Sequence, residues 1–343
     1  MSTEKLKTTL FPETRLRFDM ILEFNRSYIL ALPYIIFDKE AIQEITASRV
    51  DDGDETLSEA FSRGKSIACK AVRNSYIKLI IDSLPLSSRS VIVRIDRMLA
   101  KYKRDKGKVD DKCEWSIFAT IMNTLERDYT MLRVQDSNCK AWEAALRGEG
   151  SIDAGGPFRE SIENIVDEIQ STSLPLLIPT QNNKNDHGLN RDCWTINPSS
   201  TSPLHLEMYK FFGALLGMAF RSGHVMDFKF PPLFWKTLIE DPLTIEDLAS
   251  SDLYAVQAIT DLNKNKDQIP PDMFEDMMEL TYTTQLSNGE TVPITQNGES
   301  KRVKFDEIDE YHNLIIKTRL SEGYRQMESI KEGFNIVFPI SNI

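Results

Sequence analysis

The chain is 343 residues long, with a hydrophobic content of 41% and a net charge of −11, and this length can hold one large domain or two of ordinary size. The acidic balance argues against a nucleic-acid-binding protein, because phosphate contacts need clustered lysine and arginine. The N-terminal residues lack the apolar core of a signal peptide, and no stretch reaches the roughly 18 apolar residues of a membrane span. We therefore expect neither a nucleic acid nor a membrane among the partners.

Cysteine usage is typical of a reducing compartment. The four cysteines are scattered and include no CxxC pair, so a disulfide framework or a zinc cluster is poorly supported; they are Cys69, Cys113, Cys139 and Cys193. The sequence predicts a cytoplasmic or nuclear protein with no metal site and no cofactor.

The first hundred residues have a helical pattern. Residues 12–45 read as mostly helical with an interruption at Pro33, and residues 57–82 resume the pattern until Pro85 ends it. The β-branched residues within 88–94 favour a strand.

The basic run 101–108 is predicted to be a solvated connector rather than a binding patch, because Asp105 interrupts it and Asp110 and Asp111 follow. The charged stretch 101–112 is the predicted domain boundary. It separates a helical extension, residues 1–110, from a main module, residues 111–343. An amphipathic helix is predicted directly afterwards, over residues 115–125.

A glycine-rich turn that leads into a helix follows at residues 148–160, GEGSIDAGGPFRE. Its glycines permit backbone angles closed to other residues, Asp153 precedes the helix start and Pro157 fits the first turn. One apolar stripe follows at helical spacing: Phe158, Ile162, Ile165, Val166 and Ile169. A nucleotide-binding loop is the alternative, but Pro-Phe-Arg stands where such a loop needs Gly-Lys-Ser or Gly-Lys-Thr.

The middle of the chain predicts a buried run over 174–178, a polar loop over 181–190, a short strand over 194–197 and a central buried helix over 204–221. Small residues in that helix would allow close approach of another helix, namely Gly213, Ala214 and Gly217.

The last third predicts a short helix over 233–239, a capping pattern at Thr244 and Asp247, and a final helix over 305–320. Between them, two apolar runs flank an Asn-Gly turn, which predicts a hairpin over 280–295. The methionine-rich stretch 273–278 is open to two interpretations, core filling or an adaptable protein-binding groove.

A thiol hydrolase using Cys193 is a further alternative, because Asp192 and His187 lie near it in sequence. Catalytic partners assemble in space, however, so a buried or loop-edge cysteine is the preferred interpretation. The remaining histidines have no metal-ligand spacing and are interpreted as surface or core residues: His205, His224 and His312.

Several motifs, in order, resemble the N-lobe of the HECT domain of HECT-type ubiquitin ligases. They are Trp142 to Gly150, the DAGGPFRE stretch, Leu176 to Pro179, Asn190 to Asp192, Ile196 to Ser199, Phe211 to Ala219, Asp241 to Leu248, and Gln326, Met327, Ile330 and Glu332 to Phe334. The resemblance covers about residues 113 to 343, and two of the motifs look closest to the large HERC-type ligases. It implies an α+β, mostly helical fold with a helical N-terminal extension and a small hairpin-containing subdomain. In this family Arg159 and Glu160 would sit in buried polar pairs with a structural role.

The resemblance also implies a reaction and its partners. HECT-type ligases recruit a ubiquitin-loaded conjugating enzyme through the N-lobe. A C-lobe cysteine then takes ubiquitin as a thioester and passes it to a substrate lysine. The C-lobe would follow the Glu-Gly-Phe stretch and hold its cysteine in a Leu-Pro…Thr-Cys context, which this sequence does not contain. We therefore expect the C-lobe to be missing, assign no catalytic cysteine, and expect that this chain alone cannot form the ubiquitin thioester.

The part of the family fold that binds the conjugating enzyme resembles residues 250–318 of this chain. The residues that match its groove are Ile259, Met278, Leu280, Tyr282, Tyr311 and Ile315, with Tyr311 as the central aromatic anchor. Three interpretations stay open: a ligase module that recruits a ubiquitin-loaded conjugating enzyme, a non-catalytic interaction protein that competes with complete ligases, and an unrelated helical scaffold whose match is coincidental. The ordered series of motifs argues against the third.

Overall fold

A computed structural model describes residues 12–37, 69–87, 89–148, 155–265 and 268–339. The chain divides into two compact units, Met1–Pro85 with Asn342–Ile343, and Leu86–Ser341. Helices hold most of the described residues, and the strands form small two-stranded sheets. The predicted α+β, mostly helical class is confirmed, whereas the domain boundary near residue 110 stays a prediction.

The elements are named in chain order. The helices are α1 (Pro12–Phe37), α2 (Lys70–Ser83), α3 (Arg97–Asp105), α4 (Ile117–Thr124), α5 (Gly156–Ile169), α6 (Gln181–Lys184), α7 (Pro203–Ser222), α8 (Pro232–Leu238), α9 (Ile245–Ala249), α10 (Leu253–Asn265), α11 (Phe274–Met278), α12 (Ile308–Ser321) and α13 (Tyr324–Val337). The strands are β1 (Ile92–Ile95), β2 (Glu143–Leu146), β3 (Leu177–Pro179), β4 (Trp194–Ile196), β5 (Thr283–Gln285) and β6 (Thr291–Pro293).

The first unit contains α1 and α2. The buried Asn25 amide joins them, since its Oδ1 accepts a hydrogen bond from the Cys69 backbone N–H at 2.7 Å. The predicted interruption at Pro33 is wrong, because α1 continues through Pro33 to Phe37. A proline removes one backbone donor, and a long helix can tolerate that loss. The other predicted helical segments, 38–45 and 57–68, lie outside the described residues.

The second unit begins with β1, which pairs in parallel with β2. The basic run 101–108 is exposed apart from the half-buried Lys103, as predicted, but its first five residues belong to α3, which ends at Asp105. The following Asp110 is buried. The Asp110 carboxylate accepts hydrogen bonds from the backbone N–H groups of Glu114, Trp115 and Ser116 at 2.8–3.0 Å. Its charge is buried because it satisfies the donors at the turn that precedes α4.

Helix α5 starts as predicted after the glycine-rich turn. Gly155 precedes it with a φ of 102°, and Pro157 lies in its first turn. The whole apolar stripe from Phe158 to Ile169 is buried. The predicted burial of Arg159 and Glu160 is wrong, since Arg159 is exposed and Glu160 is half-buried in an ion pair with Arg97. Gly150 and Asp153 lie outside the described residues.

The centre of the second unit is the contact between α7 and α13. Most of α7 is buried, as predicted, and its glycines face α13 at van der Waals distance. A Cβ added at Gly213 would overlap the Ile330 carbonyl oxygen, and one added at Gly333 would overlap that of Lys210. Only glycine permits this approach, so these residues set the distance between the two helices.

Two further predictions can be compared with the structure around β3 and β4. These strands pair antiparallel, with Leu177 opposite Ile196. The predicted polar loop over 181–190 is partly wrong, because its first four residues form α6, which Thr180 caps by accepting from the Asn183 N–H at 3.1 Å. The capping pattern at Thr244 and Asp247 is confirmed at the start of α9.

The hairpin in the last third is confirmed by the antiparallel pairing of β5 with β6. The Asn-Gly turn supports it, since Gly289 adopts a φ of 89°. The hairpin packs with α10 and α12 around a small cluster of buried residues: Ile259, Tyr282, Val303, Tyr311 and Ile315.

Candidate functional site

A cavity of about 540 Å³ opens between α10, α12 and the segment that runs from α11 into β5. Its lining residues are Gln181, Asn185, Asp252, Tyr254, Ala255, Ala258, Ile259, Leu262, Met278, Leu280, Thr284, Gln285, Leu286, Tyr311, His312, Ile315 and Arg319. Its volume falls within the range of ligand-binding cavities, and its lining combines apolar and polar side chains.

The cavity brings together five of the six residues matched in the sequence to the docking groove. Ile259, Met278, Leu280, Tyr311 and Ile315 all line it. Tyr282 is fully buried and lies behind the wall, where its ring meets that of Tyr311 edge-on with centroids 5.7 Å apart.

Tyr282 packs against Tyr311 from the buried side of the cavity wall. Its hydroxyl donates a hydrogen bond to Glu307 at 3.0 Å, and the Lys301 ammonium lies 4.1 Å from its ring centroid. Burial and then the hydrogen bond to the Glu307 carboxylate raise the pKa of Tyr282 to about 12, so its hydroxyl stays protonated. This side chain is a structural support and cannot contact a partner directly.

Tyr311 forms part of the cavity wall. It is 7% exposed, and its hydroxyl lies 3.5 Å from the Thr283 carbonyl oxygen, to which it donates. Burial raises the pKa of its hydroxyl. Its ring borders the apolar end of the cavity, where an aromatic side chain can serve as an anchor for a partner.

In the methionine-rich stretch 273–278, one part fills the core and another part borders the cavity. Phe274 is fully buried in the core, whereas Met273 and Met277 are more than half exposed, and Met278 lines the cavity. Flexible methionine side chains beside a cavity suit an adaptable contact surface.

The opposite end of the cavity is polar and is organised by Arg319. Its guanidinium donates to Asp252 at 2.8 Å and to Glu322 at 3.1 Å, and all three side chains are nearly buried. Because each charge has a partner, this end is rigid without being strongly charged.

Sequence reasoning missed several cavity residues. Tyr254, Leu262, Gln181 and Asn185 line it but were not predicted. For Tyr254 and Leu262 the helical spacing around Ile259 could have indicated a shared face. Gln181 and Asn185 gave no signal, because their proximity to α10 depends on the tertiary fold.

The surroundings of the two buried cysteines, Cys113 and Cys193, disfavour an activated thiol. Burial raises the pKa of Cys113 to about 12, with Asp110 adding to the effect. Burial, followed by Asp192, also raises the pKa of Cys193, and His187 stacks on Tyr254. A raised pKa disfavours the thiolate, so the hydrolase alternative loses its nucleophile.

Among the described residues, no helix is long and apolar enough to cross a membrane. The same part of the chain has no group of three or more histidine, cysteine or acidic side chains arranged to hold a metal ion.

Comparison with known proteins assigns the chain to a family. A family model for the HECT-domain (ubiquitin-transferase) matches residues 163–343. The chain belongs to the HECT-domain family.

Several similar proteins are named E3 ubiquitin-protein ligases. The chain is 28% identical over 334 residues to E3 ubiquitin-protein ligase HERC2 of Mus musculus and of Homo sapiens, a match that covers 96% of this chain and 7% of each relative. It is 25% identical over 203 residues to E3 ubiquitin-protein ligase ptr1 of Schizosaccharomyces pombe, covering 57% of this chain and 6% of that protein. The chain thus spans a small part of the length of these relatives.

Proposed function

We propose that this chain is a HECT-type ligase module that recruits a ubiquitin-loaded conjugating enzyme for transfer of ubiquitin to substrate lysines. The cavity between α10, α12 and the α11–β5 segment would receive the conjugating enzyme. Ubiquitin is the second partner, and the module would work in the cytoplasm or nucleus. Membership of the family supports the pathway.

The observation that carries this proposal is the convergence of five matched residues on one cavity. Ile259, Met278, Leu280 and Ile315 supply apolar surface, and Tyr311 contributes an aromatic ring held by Tyr282. Burial of such side chains against an apolar loop supplies most of the affinity of a small interface.

The test is a binding measurement with Tyr311→Ala. We expect this substitution to weaken the binding free energy for conjugating enzymes by about 2 kcal/mol or more, as for truncated aromatic anchors. Isothermal calorimetry with a panel of purified ubiquitin-conjugating enzymes gives the values. Tyr102→Ala is the matched control, because Tyr102 is 60% exposed and does not line the cavity.

The folded state of Tyr311→Ala is checked by thermal unfolding, since Tyr311 is nearly buried. Met278→Asp, at a half-buried lining position, gives a second variant with less disturbance of the core. If both variants are folded and bind conjugating enzymes with wild-type affinity, the cavity is not the docking site.

A second candidate function has support in the cysteines. Two of the four thiols are buried with raised pKa values, and none of the four stands in a Leu-Pro…Thr-Cys context. A chain whose own thiols cannot accept ubiquitin would bind a conjugating enzyme and hold it, in competition with complete ligases. The two functions share the docking cavity and differ in whether ubiquitin is passed on.

A further inference from the structure

The cavity extends beyond the segment matched to conjugating-enzyme docking. Gln181 belongs to α6 and Asn185 follows it directly, so both lie outside residues 250–318, yet they line the polar end of the cavity. A partner seated on Tyr311 would therefore meet a second wall that comes from an earlier part of the chain.

This second wall is fixed in place before any partner arrives. Asn182 is 1% exposed, and its Nδ2 donates to the carbonyl oxygens of Leu189 and Ala249 at 3.0 Å each. Its Oδ1 accepts from the Leu253 N–H at 2.8 Å, which ties α6 to the start of α10. Because these groups are already ordered, contacts with α6 cost a ligand little conformational entropy.

A stacked aromatic pair borders the same end of the cavity. The His187 and Tyr254 rings lie nearly parallel at 20°, with centroids 4.8 Å apart. Tyr254 is 50% exposed and lines the cavity, so part of its ring is open to a partner. The stack joins the loop after α6 to α10.

The polar groups of this wall favour a hydrogen-bond donor. The Gln181 amide N–H donates to the Ser287 carbonyl oxygen, and that of Asn185 donates to the Gln181 carbonyl oxygen, both at 2.9 Å. Within the described residues no group donates to the side-chain oxygen of either amide. Amide oxygens are hydrogen-bond acceptors, so these two can accept from a donor on a partner, whereas the carboxylate of Asp252, which also lines the cavity, is paired with Arg319.

We propose that Gln181, Asn185 and the His187–Tyr254 stack determine which conjugating enzymes this chain accepts. They select those whose docking loop carries a hydrogen-bond-donating side chain, such as lysine, arginine or glutamine, next to its apolar anchor. This inference rests on the proposed docking function and adds a second wall to it. The apolar end supplies general affinity, and the α6 wall supplies discrimination.

The experiment compares two opposite substitutions at Asn185, which is exposed and so can be changed without disturbing the core. Asn185→Lys replaces an acceptor with a cation, and Asn185→Asp keeps the acceptor and adds a negative charge. Asn138→Lys is the control, since Asn138 is also exposed and lies outside the cavity lining. Dissociation constants are measured for each variant against the same panel of conjugating enzymes.

For enzymes with a donor in the docking loop, we expect Asn185→Lys to weaken binding about tenfold and Asn185→Asp to preserve or strengthen it. For enzymes without the donor, the dissociation constant should change less than about twofold with either variant. The same limit applies to every enzyme with Asn138→Lys. Amide hydrogen exchange of α6 slows on complex formation for the first group only.

The outcomes separate the two proposals. If Tyr311→Ala weakens binding while both Asn185 variants bind every enzyme like the wild type, docking stands and the second wall is overturned. An equal effect of Asn185→Lys and Asn185→Asp across the panel also overturns it. If no conjugating enzyme binds the wild-type chain, the docking function and this inference fall together.

Discussion

At the scale of single residues, His224 is a buried imidazole with a defined proton position. It is 8% exposed, its Nδ1 lies 2.6 Å from the Ser222 hydroxyl oxygen, and its ring meets Phe158 edge-on. The Ser222 hydroxyl donates to the Met218 carbonyl oxygen at 2.6 Å, so Nδ1–H of His224 donates to the hydroxyl oxygen. Burial, and then repulsion from Arg159, lower the pKa of His224, while Asp136 opposes them.

This arrangement predicts a loss of stability at mildly acidic pH. Since the pKa of His224 is lower in the folded state than its ordinary value of 6.5, the unfolded chain takes up the proton first as the pH falls. The contribution of His224 to the free energy of unfolding is therefore largest above about pH 6.5. It declines below that pH, by at most about 1.4 kcal/mol per pH unit. Urea denaturation at pH 7.5 and 5.5 measures the decline.

His224→Asn is the variant that isolates the effect, because an asparagine amide can donate to Ser222 and does not titrate. The stability difference between wild type and variant should shrink or change sign as the pH drops from 7.5 to 5.5. Parallel loss in both proteins would assign the pH dependence to other groups.

At the scale of elements, the contact between α7 and α13 determines the shape of the second unit. Gly213, Gly217 and Gly333 lie where the two helix backbones approach, and added Cβ atoms would meet carbonyl oxygens or the Val337 side chain. The backbone of a helix cannot move aside as a flexible side chain can, so the helices would have to separate.

Gly213→Ala should destabilise the protein by about 3 kcal/mol, because one methyl group forces the whole helix pair apart. Gly156→Ala is the matched control at the start of α5, where no atom lies within 4 Å of the added Cβ, and it should change stability by less than about 1 kcal/mol. Chemical denaturation gives both values. Similar stabilities for the two variants would contradict the close approach.

Elements with strong local signals could be predicted from the sequence. The stripe of α5, the small residues of α7 and the Asn-Gly hairpin each depend on neighbours in the chain. β2 was missed, because its partner β1 lies about 50 residues away and the pairing is parallel. The burial of Asp110 was also missed, for a local reason: a turn at residues 114–116 supplies N–H donors to its carboxylate, and a run of charged residues does not indicate such a turn.

One end of the candidate site could be predicted from the sequence and the other could not. Its apolar end was predicted through the resemblance, except that the fully buried Tyr282 supports the wall instead of lining it. Its polar end depends on α6 lying against α10, which is held by the side chain of Asn182 and has no periodic pattern. Tertiary hydrogen bonds of this kind leave no mark in a local window of sequence.

At the scale of the whole molecule, the four cysteines are spread across both units. Cys113 and Cys193 are buried, Cys139 is half-buried and Cys69 is exposed. Within the described part of the chain, the two buried thiols have raised pKa values, which disfavours attack on a thioester.

We expect this chain to form no ubiquitin thioester of its own. It is incubated with activating enzyme, ATP, ubiquitin and a conjugating enzyme that binds it, beside a complete HECT-type ligase as positive control. The readout is a ubiquitin adduct on a non-reducing gel that reductant removes. An adduct would identify one of the four cysteines as acceptor, and single alanine variants would show which; its absence together with binding would favour the competitor function.

The hairpin turn has a consequence for how the molecule is assembled. The Ser287 carbonyl oxygen accepts from Gln181 and Lys184, 106 and 103 residues earlier, and its N–H donates to Glu322, 35 residues later. The entropy of closing such long loops is lost before the contacts form that compensate for it. Pairings of this kind therefore raise the contact order and slow folding. The docking cavity is therefore complete only after segments far apart in the chain have met, and a nascent chain cannot contain it until α12 has been synthesised.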